Sequence, residues 1–402
     1  MSSKNKPNPI AFVITSMPVG GAETLLVNLV DRIDKQQYAP EIVCLKSRGP
    51  LGEELANRIP VHHDLIGGKY DVGVLPRLVR LFRSRKYSAV ITVGAGDKMF
   101  WGRLAAWMAR VPKIASALHS TGWPDGVGRM NRWLTSITDH FIAVAKSHGE
   151  FLQDFEGFPS NKVVVVPNGI DTDRFCVDSQ AAVGLRLELG VPSESSLVGI
   201  VAALRPEKDH RLFVEVASKV IDRHREKRTP LPHFVIVGDG PEREGIESRI
   251  SELGLNAQFH LLGTRHDTPS ILAGLNLFAL TSKNEASPVS ILEAMACGVP
   301  VVAPDVGSIR ESVLDGETGY VVPPGDADSM MERWVGLLEN PKKRLEMGGA
   351  ARRHVESYGS LNAMVSGYET MLASPTTRSQ HRSRATQHQM VRPLHSAKPN
   401  RV

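Results

Sequence analysis

Residues 277–304 read LFALTSKNEASPVSILEAMACGVPVVAP, a strand, a loop, a helix and a second strand in one short stretch. LFAL is apolar at four consecutive positions and VPVVA nearly so, the pattern of strands covered on both faces. VSILEAMAC between them carries apolar residues at helical spacing. A strand, a helix and a strand in so short a length imply parallel strands with helices over the sheet. In the loop, Ser287 and Pro288 read as N-cap and first helical position. The free N–H groups near Val289 and Ser290 then form an anion site, reinforced by the helix dipole at about 0.3–1 kcal/mol. Glu285 stands before this helix start and Glu293 inside it. A carboxylate beside an anion is unfavourable unless it accepts hydrogen bonds, and hydroxyls supply them. Either acid alone reads as a dipole-friendly residue of a first turn. The ensemble points instead to a ligand that is both anionic and rich in hydroxyls.

The same alternation continues outward. Further strand-like runs occupy 10–16, 42–45, 89–93, 113–118, 141–145 and 163–166, then 197–204, 234–237 and 259–262. Helical patterns lie between them, as at 22–33, 209–222 and 241–253. The series runs twice, with a polar stretch at 171–194 as its junction. A chain of 402 residues also exceeds the roughly 250–300 residues at which single cores stop growing. The expected fold is therefore α/β, two Rossmann-like doubly wound domains facing across a cleft. Residues 1–190 and 191–355 form the two domains, 356–373 a C-terminal helix packing back towards the first, and 374–402 a disordered basic tail. In such sheets ligands bind beyond the carboxyl ends of the strands.

With 42% apolar and 23% charged residues, the chain has the composition of an ordinary globular protein and not of a fibre. No run approaches the roughly 18 uninterrupted apolar residues of a membrane span, and MSSKNKPNPIAF carries no apolar segment ahead of the first strand-like run. The expectation is a cytoplasmic protein. Cys44, Cys176 and Cys297 stand far apart and form neither a disulfide framework nor a zinc motif. The net charge of +5 is uneven: +5 over residues 1–190, −6 over 191–373 and +6 over 374–402. A solvated tail is the simpler reading of that last segment, which argues against a nucleic-acid partner. Its His381, His388 and His395 are too dispersed for a metal site.

Glu285 and Glu293 form an E-x7-E pair, and AMACGVPVVAPDVGSIRE follows. The segment resembles the nucleotide-sugar site of family 4 glycosyltransferases of the group 1 type, retaining enzymes with the two-domain GT-B fold. MPVGGAE at 17–23 is similar to the family's glycine-rich first loop, and His119 in SALHSTGW occupies its first-domain histidine position. Residues 141–147 and VVPNGIDTDRF at 165–175 match the end of the first domain. GDGPERE at 238–244 and DGETGYVVPPGD at 315–326 match the second. The resemblance implies a nucleoside-diphosphate sugar as donor, held mainly by the second domain, and a glycan or lipid-linked acceptor on the first. Glu285 would then contact the donor sugar and Glu293 the ribose. Gly20 and Gly21 would let the first loop approach the diphosphate. Gly238, Ser287, Val289 and Ser290 would line the donor, and His119 would touch the transferred sugar or the acceptor. Lys208 would meet the charge that builds on the leaving diphosphate. No cofactor or metal is implied, since the donor is a substrate.

One departure stands out. The family places an arginine five residues before the lysine, whereas here VAALRPEKDH puts Ala203 there and Arg205 three residues before Lys208. Either Arg205 reaches the phosphate from a neighbouring turn or the site lacks one cation; the shared loop favours the first. A catalytically weak nucleotide-sugar-binding module, or an epimerase or phosphorylase on the same frame, are the alternatives. Asp171–Asp173 spells DxD, but after PNG it matches the metal-free class. Gly238–Gly240 supplies GxG, yet Arg243 stands where a dinucleotide fingerprint needs a small residue. Arg77, Arg80, Arg83, Arg85 and Lys86 interleave with Leu78, Val79, Leu81 and Phe82, near MFWGRLAAWM at 99–108. That stripe is either a solvated helix face or a peripheral contact with anionic membrane at its inner face. The acceptor loops at 62–74 and 119–130 carry no readable code, and His62, His63 and Asp64 read as surface.

Overall fold

The computed structural model describes residues 6–68, 71–94, 97–119 and 132–376. Strands β1 (Asn8–Ile14), β2 (Tyr38–Cys44), β3 (Val61–His62), β4 (Ala89–Val93), β5 (Lys113–Ala117), β6 (His140–Ala143) and β7 (Val163–Val165) make one parallel sheet in the order 3-2-1-4-5-6-7. Strands β8 (Leu197–Val201), β9 (His233–Val237), β10 (Phe259–Gly263), β11 (Leu277–Ala279), β12 (Val301–Pro304) and β13 (Gly319–Val322) make a second, in the order 10-9-8-11-12-13. Each sheet winds outward one way, then crosses back and winds the other way. The reversals fall between β1 and β4 and between β8 and β11, the doubly wound pattern expected from the alternation.

Burial follows the pleat. On β1, Ile10, Phe12 and Ile14 enter one core while Ala11 and Val13 enter another on the opposite face. The second sheet has one continuous core, in which Phe213, Phe234, Phe259 and Trp334 cluster around a shared ring contact. The stretch read as a polar junction contains a helix, Ser179–Leu189. Asp178 caps it by accepting from the N–H groups of Gln180 and Ala181, and Gly190 ends it in the left-handed region. Its Leu185, with Ile170 and Phe175, packs into the second core.

The chain crosses between domains twice, and the crossings lie side by side. The N–H of Ile170 donates to Gly359 O at 2.9 Å and that of Leu361 to Ile170 O at 3.1 Å. A side chain at Gly169 would sit 2.4 Å from Ser360 O, so only glycine permits this approach. Helix Leu361–Ala373 then adds Leu361, Met364, Val365, Tyr368 and Met371 to the first domain's core. Of the basic tail, only 374–376 are among the described residues.

Lys113, at the start of β5, closes that helix. Its buried ammonium donates to Met371 O at 2.8 Å, to Leu372 O at 2.6 Å and to Ser374 O, carbonyls a helix end leaves without partners. Lys113→Met should cost about 1–3 kcal/mol of stability. It should also raise amide hydrogen exchange through residues 361–373 above all; protection unchanged there would show that Lys113 does not hold the helix.

Candidate functional site

The site lies where both sheets reverse. At these points the loops leaving adjacent strands diverge to opposite faces, leaving a crevice between them. In the second domain the loops leaving β8 and β11 are tied to each other: Thr281 Oγ1 donates to Lys208 O at 3.0 Å and the N–H of Lys283 to Glu207 O at 2.9 Å. A single 3-10 turn, Pro206–Lys208, aims the lysine. Its Nζ lies 2.5 Å from Glu285 Oε1, which also accepts from Ser282 Oγ at 2.7 Å. The Glu285 side chain is only 8% exposed and that of Lys208 23%. Glu285 and Lys208, 77 residues apart, are thus one buried ion pair.

Two glycines make that arrangement possible. Gly307 has φ +56°, and a Cβ there would lie 1.5 Å from Glu285 O, so any other residue displaces the loop that carries the carboxylate. Sequence reading gave Gly307 no role, because only folding brings it beneath Glu285. Gly238 has φ +139°, and a Cβ would lie 2.0 Å from Ala202 O. Its own N–H donates to Gly263 O at 2.8 Å. Gly238 therefore contributes clearance for the loop bearing Lys208, its N–H being already committed.

Helix Val289–Ala296 starts one residue later than the sequence suggested. Pro288, at φ −72° and ψ 114°, is extended and stands at the N-cap in place of Ser287, since its ring fixes φ while its ψ lies outside the helical range. Ser287 instead offers its carbonyl to Asn168 Nδ2 of the first domain at 3.0 Å. Val289 and Ser290 form the first turn. Opposite lies the start of helix Gly21–Arg32, with Gly20 as its N-cap. A Cβ on Gly21 would lie 3.6 Å from Val289 Cγ2, ordinary contact. Val289 packs against the cores of both domains. Two helix tips, each bearing first-turn N–H groups that have no partner within their own helix, therefore face one another. Gly20 is extended at φ −161°, so it meets no backbone demand for glycine; a Cβ there would sit 2.5 Å from the Glu23 carboxylate.

Glu293 is half-buried in the second turn of the same helix. Burial lifts its carboxyl from the ordinary range to about 7, with Arg174 pulling weakly the other way. His119 is half-buried two residues past β5, on the first domain's edge of the crevice. Arg205 is elsewhere. Its side chain is 64% exposed, 3.9 Å from Glu207. It lines a hollow of about 220 Å³ with Asp209, Arg211, Glu242 and Lys283, whose walls include neither Lys208 nor Glu285.

Other motifs prove to be engaged structurally. Asp171 pairs with Arg32 at 2.5 Å and accepts from the N–H groups of Asp173 and Arg174. Among the described residues no three His, Cys, Asp or Glu side chains are grouped to hold a metal ion. In the basic stripe, Arg77 forks onto Asp71, Arg85 onto buried Glu41, and Arg83 donates to Met108 O. His62 also bonds Glu41, at 2.8 Å, and so belongs to the same network. Internal pairing of these three arginines favours the solvated-helix reading over membrane contact. No helix among the described residues is long and apolar enough to cross a membrane. The loop residues 69–70 and 120–130, within the expected acceptor segments, lie outside the described residues.

Two doubly wound domains with their reversals facing across a crevice define the GT-B class of transferase. Residues 19–174 match the family described as Glycosyltransferase Family 4, and residues 185–354 match Glycosyl transferases group 1. The D-inositol 3-phosphate glycosyltransferase of Gordonia bronchialis is 30% identical over 367 residues, 85% of this chain and 73% of the relative. The UDP-Gal:alpha-D-GlcNAc-diphosphoundecaprenol alpha-1,3-galactosyltransferase of Escherichia coli is 25% identical over 354 residues, 85% of this chain and 90% of the relative. The structure of Anabaena HepE in complex with UDP-glucose superposes with a TM-score of 0.79 at 23% identity, covering 91% of this chain and 100% of that one. The chain belongs to the family 4, group 1 glycosyltransferases and is an enzyme of that class.

The Glu293 carboxyl gives the free protein a pH signature. A group titrating near 7 when folded and near 4.5 when unfolded binds more protons in the native state. Stability therefore falls as pH rises between those values and levels off above them. Glu293→Gln removes the penalty. Denaturant titrations should find it more stable than wild type by on the order of 2 kcal/mol near pH 8 and no different near pH 4. A difference that does not vary with pH would refute the assigned burial.

Proposed function

We propose that the protein is a retaining, metal-independent glycosyltransferase of glycan or glycolipid biosynthesis. It would take a sugar from a nucleoside-diphosphate donor held on the second domain and pass it to a glycan or lipid-linked acceptor on the first. The observation that carries this reading is the Lys208–Glu285 pair fixed beside two facing helix tips. Breaking the bond between the anomeric carbon and the diphosphate leaves the electron pair on a phosphate oxygen. Lys208 and the N–H groups of Val289, Ser290 and the first turn after Gly20 would meet that charge as it develops. Glu285 would accept from the transferred sugar's hydroxyls, and Glu293 from the ribose. An acceptor hydroxyl would attack from the leaving-group face, its proton passing to the departing phosphate oxygen, which keeps the anomeric configuration. Asp171 is already spent on Arg32 and on backbone N–H groups, which supports a mechanism without a metal held by the DxD sequence. The HepE complex with UDP-glucose and the UDP-Gal enzyme of Escherichia coli make UDP-hexoses the first donors to try. Glu285→Ala and Lys208→Ala should each lower nucleoside-diphosphate release at least tenfold, about 1.4 kcal/mol in the barrier. Near-normal release from both folded variants would remove the assigned site.

A second reading, a catalytically weak nucleotide-sugar binder, draws on Ala203 and the outlying Arg205. Ala203→Arg tests it directly. Under this second reading the variant should gain rate severalfold or more in the release assay. An unchanged or lower rate, together with steady turnover in wild type, would show that the native cations suffice.

A further inference from the structure

The first domain's helix Lys146–Asp154 with Phe155, and Asn284, Ala286, Gly307 and Ser308 of the second domain, line an open cavity of about 460 Å³. One wall is aromatic. Phe151 and Phe155 stack with centroids 5.0 Å apart and planes at 22°, and Phe155 is 69% exposed. The remaining lining is uncharged in type, Ser147, His148, Asn284 and Ser308 with Ala286 and Gly307, and holds no carboxylate, ammonium or guanidinium among the described residues. The hydroxyl oxygens of Ser147 and Ser308, one from each domain, are shut off from water without a hydrogen-bond partner. Buried hydroxyls are rarely left so. Glu311 fixes the spacing of the walls, its carboxylate accepting from the N–H groups of Lys146 at 2.8 Å and Ser147 at 2.6 Å across the domain boundary.

We propose that this cavity binds a neutral pyranose ring of the acceptor, stacked on Phe155 and hydrogen-bonded to Ser147 and Ser308 after a slight parting of the walls. The inference rests on the glycosyltransferase reading and names the acceptor's chemistry within it. A sugar ring presents C–H groups on its face and hydroxyls around its rim, the complement of an aromatic wall opposite neutral hydrogen-bonding groups. A hydrocarbon chain would leave both serine hydroxyls unpaired, and an anion would meet no cation. The occupant is not the donor's diphosphate, because neither Lys208, Gly21 nor Val289 lines the cavity. Asn284 and Ala286 flank Glu285 in the chain, so an acceptor ring here lies beside the loop assigned to the transferred sugar.

Saturation-transfer NMR on the full chain tests this with four probes: the methyl α-glycosides of glucose, galactose, mannose and N-acetylglucosamine, with octanol as the hydrocarbon control. At least one glycoside should receive saturation on its ring protons and keep it when excess UDP-glucose is added. Phe155→Ala should cut that signal at least fivefold and Phe155→Tyr should retain it; the exposure of Phe155 lets both variants fold, which melting curves check. Silence from all four glycosides, indifference to Phe155→Ala, displacement by UDP-glucose, or a signal from octanol alone would overturn the proposal. Diphosphate release measured on the same wild-type samples separates the two failures. Turnover without glycoside binding removes only this subsite, and glycoside binding without turnover removes only the catalytic reading.

Discussion

Two helix tips meet at Gly21 and Val289, and the arrangement of the crevice depends on that meeting. A doubly wound sheet reverses once, and beside the reversal the first turns of its helices stand clear of other connections. This chain builds two such sheets and turns their reversals towards each other. Each tip brings N–H groups with no partner in its own helix. Their contact zone is therefore rich in donors, and an anion is the natural complement. Val289 packs against both cores, so the gap between the domains is set by hydrocarbon contact as well as by charge.

The acids at such a place need their own explanation. A buried ion pair is weak evidence for stability, because desolvation offsets much of the attraction. Lys208 and Glu285 could be replaced by apolar residues of similar size without loss of the fold. What the pair secures is position: Ser282, Thr281 and Gly307 hold the carboxylate and the lysine's loop in one arrangement. Glu293 shows the other solution, an acid kept near neutrality by burial. The loop thus carries one carboxylate paired with a cation, and the helix that follows it carries one that burial pushes towards its protonated form.

How much of this was legible follows from whether the cause is local. The central strands were readable because burial on both faces leaves continuous apolar runs, as in AVITV at 89–93. The edge strands β3 and β13 were not: two residues, Val61–His62, carry no period, and Gly319–Val322 sits among turn residues. The helix Ser179–Leu189 reads as a polar junction because its exposed Val183 and Leu187 blur the amphipathic pattern. Within the site, Glu285, Val289 and Glu293 share one loop and helix, so spacing revealed them. Asn168, Gly307 and Glu311 act through space across 119, 22 and 165 residues, and no spacing encodes such contacts. Arg205 shows the converse: although three residues from Lys208 in sequence, its exposed side chain lines a separate hollow with Arg211 and Lys283.

The contacts between the domains divide into two kinds, and the division says how the molecule moves. At the chain crossings, backbone hydrogen bonds join Ile170 to Gly359 and Leu361, and the C-terminal helix is buried in the first domain's core. Parting there would expose apolar surface. Around the crevice the bonds are few and polar, Asn168 to Ser287 and Glu311 to Lys146 and Ser147, and water replaces each at little cost. Polar interfaces of this kind leave domain motion as the default. The chain crossings at 169–171 and 359–361 are thus the firmer join and the crevice the weaker one. The carboxylate of Glu311 accepts from two adjacent N–H groups across the boundary, which sets the register between the domains. A sugar activated on a diphosphate is exposed to water whenever the crevice is open, and a closure that is easily broken yet exact in register meets both needs of transfer.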